Sequence, residues 1–176
     1  MIALYVIAVY ILLSAAIYLV LSVKCRTDPV FRMPESAFLY YFLSLTWGLP
    51  MTLAGVAVSL VLLAFGKRPR KFCRNICFEL PGINWGLELG LFMIIPEGNT
   101  GVCAHEQGHG IQNIYLGIFM PAVISIPSAI RFHCRKHRAK KKRPLKRGYD
   151  DIWFENSATL SGEAFLAAAD KKKEDI

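Results

Sequence analysis

The chain has 176 residues, the length of one domain, and 54% of them are hydrophobic while only 19% are charged. This balance is too apolar for an ordinary soluble domain. The net charge of +8 is collected in basic clusters between long uncharged stretches, the pattern of an integral membrane protein with cytoplasmic loops. The five cysteines are an odd number without regular spacing, so no disulfide scaffold is indicated.

Residues 2–23 carry no charge and are long enough, at 1.5 Å per residue, to cross the hydrocarbon core of a bilayer as a helix. A signal peptide would begin with basic residues and have a shorter apolar run. We therefore predict an uncleaved transmembrane helix that Lys24 and Arg26 end.

Residues 36–66 also lack charge and predict a second transmembrane helix, after an irregular linker at 27–35 that contains Pro29 and Pro34. As one helix this segment would be roughly 45 Å long, so it must tilt or extend past the interface. Gly48 and Pro50 predict a kink within it.

Residues 67–80 begin with a cluster of basic side chains and are predicted to be a cytoplasmic linker. We predict that the amino terminus lies on the same, cytoplasmic side of the membrane. Cys73 and Cys77 are spaced to meet on a helix face, but no second Cys or His pair lies nearby. The pattern favours ordinary buried or interfacial cysteines over a metal site.

Residues 89–95 are apolar but too short to span a bilayer as a helix, so they predict a short strand or a re-entrant piece. The turn 96–99 follows. Such a strand could hold an extended peptide by main-chain pairing. It could equally be a hydrophobic plug against the membrane helices.

The segment His105-Glu106-Gln107-Gly108-His109 spells H-E-x-x-H. On a helix beginning near residues 100–102, both imidazoles would lie on one face and could bind one zinc ion. Glu106 would then act as a general base on the water that the zinc activates. Gln112 and Asn113 continue the same face and could hydrogen-bond the ligands. The alternative is a pair of histidines that merely hydrogen-bond on a polar helix face.

Pro121 and Pro127 are predicted to bend the chain after this helix, and residues 131–147 then hold ten basic side chains. We predict a solvated basic loop attracted to anionic lipid headgroups. Its surrounding cations argue against His133 and His137 as metal ligands. A nucleic-acid partner is the less favoured interpretation, because the cations are not interleaved with aromatics.

A catalytic zinc site needs a third protein ligand, and the candidate carboxylates after the basic loop are Asp150, Asp151, Glu155 and Glu163. The H-E-x-x-H motif, followed by a helix bearing Glu and then Ala three residues later, resembles the gluzincin metalloproteases. These include thermolysin and the membrane-bound prenyl-protein (CAAX) endopeptidases.

This resemblance implies that Glu155 is the third zinc ligand and that Ala158 matches the pattern. Thr159 stands where the family has an Asp that orients the first histidine, so the local negative charge is missing. The sequence of residues 89–112 also resembles a group of small bacterial membrane proteins, which implies a location in the bacterial inner membrane. The Asp-Gly ligand motif of site-2 proteases is absent, since no Asp precedes a Gly in this sequence.

Together these features predict a mostly α-helical integral membrane protein with two transmembrane helices in 1–66, a basic linker at 67–80 and a metalloprotease-like domain at 81–176. The favoured function is a zinc metallopeptidase near the cytoplasmic face. His105, His109 and Glu155 would bind Zn²⁺, Glu106 would be the catalytic base, and a peptide or membrane protein would be the substrate. The alternative is a catalytically inactive membrane protein that keeps a metal-site remnant and acts by binding.

Overall fold

The computed structural model describes residues 1–24, 31–143 and 148–174, and it is mostly helical, as predicted. The described helices are α1 (Ile2–Lys24), α2 (Ala37–Leu45), α3 (Leu49–Ala64), α4 (Thr100–Leu116), α5 (Ile126–Lys140) and α6 (Trp153–Glu174). The strands are β1 (Arg70–Phe72), β2 (Asn75–Leu80), β3 (Leu87–Leu89) and β4 (Phe92–Pro96). A 3₁₀ turn (Gly117–Phe119) and a π-helical turn (Pro121–Ser125) join α4 to α5.

Helix α1 agrees with the prediction of an apolar membrane helix. Its 23 residues correspond to roughly 35 Å, and only 6% of its apolar window is buried inside the protein. Among the described residues, it is the one helix that is by itself long and apolar enough to cross a membrane. It ends at Lys24, while Arg26 and Pro29 lie outside the described residues.

The second predicted transmembrane helix is not confirmed. Residues 36–66 form two helices, α2 and α3, which meet at an angle of 85°. The bend follows from the kink signal: Gly48 precedes α3, and Pro50 lies in its first turn. Because α3 has 16 residues, it reaches only about 24 Å. The pair is therefore a broken span or a re-entrant loop.

A four-stranded sheet of order β1-β2-β4-β3 stands where the sequence predicted one short strand or a re-entrant piece. The predicted linker 67–80 contains the β1–β2 hairpin, in which Cys73 adopts a left-handed backbone. Strand β4 pairs in parallel with β2 and antiparallel with β3. The predicted segment 89–95 thus enters an internal strand, and the edge beside it belongs to β3, which contacts α3 and α4.

Helix α4 begins where the motif predicted, at Thr100, because the side chain of Asn99 accepts a hydrogen bond from the Val102 amide at 3.0 Å. After Phe119 the chain bends by 115° at Pro121, as predicted, and enters α5. The basic segment 131–147 differs from the prediction of a loop, because it is helical through Lys140. Residues 144–147 lie outside the described part.

Helices α4 and α6 cross with their backbones in contact. A side chain at Gly108 would collide with the carbonyl of Ala158, and one at Gly162 would collide with the carbonyl of Ala104. Each helix therefore offers two small residues four positions apart, a pattern that lets helix axes approach closely. This crossing brings the start of α6 against the H-E-x-x-H face of α4.

Candidate metal centre

Three side chains from the two crossing helices converge on one point. The carboxylate oxygen Oε2 of Glu155 lies 3.1 Å from Nε2 of His105 and 3.4 Å from Nε2 of His109. The two imidazole rings are nearly perpendicular, with centroids 4.7 Å apart. The three ligand atoms all lie within 4.8 Å of one another, so the cluster could bind a metal ion.

These distances fit a tetrahedral metal site. Ligand atoms placed 2.0–2.1 Å from a zinc ion at tetrahedral angles are about 3.3 Å from each other. Oε2 of Glu155 is buried and accepts no hydrogen bond from the residues that the structure describes, although both imidazoles are near it. A buried carboxylate oxygen of this kind needs a partner, and a cation between the three atoms would provide one.

Each imidazole is oriented by a hydrogen bond at its other nitrogen. Nδ1 of His105 lies 2.8 Å from the hydroxyl of Thr159. Nδ1 of His109 lies 2.7 Å from the amide oxygen of Gln112, whose amide nitrogen donates to the carbonyl of Phe154 at 2.8 Å. Because Gln112 presents its oxygen, Nδ1 of His109 carries a proton, and Nε2 is the ring atom that faces Glu155 and would bind a metal.

The predicted hydrogen bonds of Thr159 and Gln112 to the histidines are confirmed, but the same prediction for Asn113 is wrong. The side-chain amide of Asn113 is buried and makes no hydrogen bond within the described residues. It does not reach the cluster.

The second oxygen of Glu155 is held by α5. The hydroxyl of Ser128 donates to Oε1 of Glu155 at 2.6 Å, and the hydroxyl of Tyr149 lies 3.4 Å from that of Ser128. Burial alone would raise the pKa of Glu155, but the two neighbouring imidazoles outweigh it and hold that pKa well below its usual range. Glu155 is therefore ionised and ready to bind a cation. Sequence reasoning missed Ser128, which carries no motif signal.

The carboxyl group of Glu106 lies beside the three ligands without joining them. It is 5% exposed and accepts a hydrogen bond from the backbone N–H of Glu88. Just before β3, a side chain at Gly86 would collide with this carboxylate and with Val102. Only glycine lets the edge of the sheet approach Glu106 this closely.

Glu88 is a further buried acid that sequence reasoning missed. It is 4% exposed, and neither carboxyl oxygen has a hydrogen-bond partner among the described residues. Burial, with a smaller contribution from the charge of Glu106, raises the pKa of Glu88 to about 8. In the sequence, Glu88 could have been noticed as the one charged residue between Pro81 and Pro96.

The other candidate ligands do not enter the cluster. Asp150, Asp151 and Glu163 are exposed, and so are His133 and His137 in the basic helix. Cys77 is buried against Cys103 of α4 instead of forming a pair with Cys73. Of the four carboxylates that the sequence offered, the α4–α6 crossing brings only Glu155 to the histidines.

No protein-family model, curated protein or solved structure matches the chain. The gluzincin resemblance therefore rests on the H-E-x-x-H motif and on the Glu155–Thr159 segment alone. The geometry by itself supports a site of two imidazoles and one carboxylate that could bind a metal ion, with a second buried carboxyl next to it.

Proposed function

We propose that this protein is a membrane-associated zinc metallopeptidase. The observation that carries the proposal is the convergence of His105, His109 and Glu155 within 4.8 Å, with Glu106 buried beside them. Two nitrogens and one carboxylate oxygen are the donor set of catalytic zinc sites of the thermolysin type, which keep a fourth position open. Helix α1 supports the membrane location.

Zinc bound by these residues would lower the pKa of a water molecule and polarise a peptide carbonyl. Glu106 takes the proton of the attacking water, and its buried carboxylate is kept in place by the backbone N–H of Glu88. Thr159 and Gln112 keep the Nε2 atoms of the two histidines directed at Glu155.

The substrate in this proposal is an extended peptide segment. Strand β3 borders the metal centre, because the backbone N–H of Glu88 donates to the Glu106 carboxylate. Gly86 immediately precedes β3 and contacts the same carboxylate. A peptide that reaches Gly86 would therefore lie beside the general base. The side chain of His105 is 17% exposed, which leaves this side of the site open to approach.

The test is zinc content together with cleavage of a peptide mixture by the detergent-purified full chain. We expect one zinc per chain in the wild type and in Glu106→Gln, because Glu106 is not a ligand. Cleavage should fall by a factor on the order of 10²–10⁴ in Glu106→Gln, the contribution of a general base. The matched control is Glu163→Gln on the exposed face of α6, which should change neither quantity. Equal cleavage by Glu106→Gln and the wild type would contradict the proposal.

A second candidate function is a binding protein that keeps only the remnant of a metal site. Thr159 favours it, because a neutral hydroxyl orients His105 where gluzincins use a carboxylate. The basic face of α5 would then bind acidic lipid or an acidic partner. Wild-type protein without stoichiometric metal, even after incubation with zinc, would favour this function over the peptidase.

A further inference from the structure

A groove of about 780 Å³ runs between α1 and α5 on the outside of the protein. Ile11, Ala15 and Leu19 of α1 form one wall, and Ala122 and Ile130 contribute to the opposite wall. This volume lies in the range of small-molecule binding sites. Because most of its lining is apolar, the groove suits a hydrocarbon ligand.

The groove changes from apolar to cationic along α5. Pro127 and Ile130 line it first, and Arg131 and Arg135 line it further along the same helix face. Both guanidinium groups also donate to the carbonyl of Gly148, which fixes the two cations at this end of the groove. From Pro127 to Arg135 the helix rises about 12 Å. Among the described residues, none that lines the groove is acidic. An occupant with a hydrocarbon tail and an anionic head would match both ends.

The position of the groove on α1 identifies the source of such an occupant. Helix α1 is the described helix able to cross a bilayer by itself, and its outer surface is exposed and apolar. In a membrane the open side of the groove would therefore face lipid acyl chains. We propose that the groove binds one anionic phospholipid, with an acyl chain along α1 and the phosphate at Arg131 and Arg135. This inference does not depend on peptidase activity.

Binding of this lipid would hold α5 against α1. Helix α5 also carries Ser128, which hydrogen-bonds Glu155 at 2.6 Å. The lipid site and the metal centre thus share one helix, with Ser128 lying between the groove residues Pro127 and Ile130.

Native mass spectrometry of the detergent-purified full chain tests the site. The probes are phosphatidylglycerol and phosphatidylcholine with identical acyl chains, added in equal amounts. We expect the wild type to retain one phosphatidylglycerol in preference to phosphatidylcholine. Ala15→Trp should fill the groove and lose the lipid. Ala16→Trp is the matched control, because Ala16 is equally exposed on α1 but does not line the groove, and it should retain the lipid.

The headgroup contact is tested by Arg135→Gln against Arg138→Gln, since Arg138 is an exposed arginine of the same helix outside the groove. Arg135→Gln should reduce the preference for phosphatidylglycerol about fivefold, the effect of one cation near an anionic lipid. Arg138→Gln should leave it unchanged. If Ala15→Trp fails to fold, Ala122→Trp fills the groove from the opposite wall.

Three results would overturn the proposal. The first is equal retention of both lipids by the wild type. The second is equal lipid retention by Ala15→Trp and Ala16→Trp. The third is a dimer that dissociates in Ala15→Trp, which would assign the groove to a second copy of the chain.

Discussion

The hydrogen bond between His105 and Thr159 allows a quantitative test of the metal centre. Thr159→Val removes the hydroxyl 2.8 Å from Nδ1 of His105 while keeping the shape of the side chain. Loss of a partner that orients a ligand costs about 10–100-fold in metal affinity, which corresponds to roughly 1.4–2.7 kcal/mol. We expect the zinc dissociation constant of Thr159→Val to rise by that factor.

Thr159→Asp is the complementary change. It restores the carboxylate that gluzincins place at this position and would accept the Nδ1 proton of His105 with a charge-assisted hydrogen bond. We expect its zinc affinity to exceed that of the wild type. The two substitutions therefore move metal affinity in opposite directions from one position.

The assay is a competition titration of detergent-purified protein against a chromophoric zinc chelator at fixed pH. Thr46→Val is the matched control, because Thr46 is the exposed C-cap of α2 and its hydroxyl donates to the carbonyl of Phe42, far from the metal centre. Thermal unfolding of each apo variant checks that the fold is unchanged. A Thr159→Val affinity within twofold of the wild type would refute the assigned role of Thr159.

Three further predictions concern the helix crossing, a buried acid and the metal itself. Gly108→Ala should lower both Tm and zinc affinity, because its Cβ would collide with the Ala158 carbonyl. Gly101→Ala in the same helix has space for its Cβ and should lower neither quantity. Thermal unfolding and zinc titration measure the two effects. The pKa of Glu88 rises from 4.5 to about 8 on folding, so its stabilising contribution is complete below pH 4.5 and is lost as pH rises through 8. Tm should therefore fall over this pH range, and it should fall less in Glu88→Gln. Equal slopes of Tm against pH in the two proteins would contradict the assignment. Removing metal with a chelator should lower the Tm of the wild type, and adding zinc back should restore it. Zinc should not restore the Tm of His109→Ala. A Tm insensitive to the chelator would argue against a bound metal.

Several features were predictable from local sequence alone. An uncharged run sufficed for α1, since a helix that long needs no partner to place it in a membrane. The i, i+4 spacing of His105 and His109 placed both rings on one helix face, and the turn at 96–99 and Pro121 marked the limits of that helical region. Gly48 and Pro50 indicated the bend between α2 and α3, although not its size.

The choice of Glu155 depended on tertiary structure. Asp150, Asp151 and Glu163 are near it in sequence, and only the close crossing at Gly108 and Gly162 determines which carboxylate faces the histidines. The sheet was missed for the same reason. Strand β2 pairs directly with β4 although β3 separates them in sequence, and such pairing leaves little local pattern. Local periodicity determines which side chains share one helix face. Contacts between segments distant in sequence depend on how closely their backbones can pack, and here that packing assembles the site.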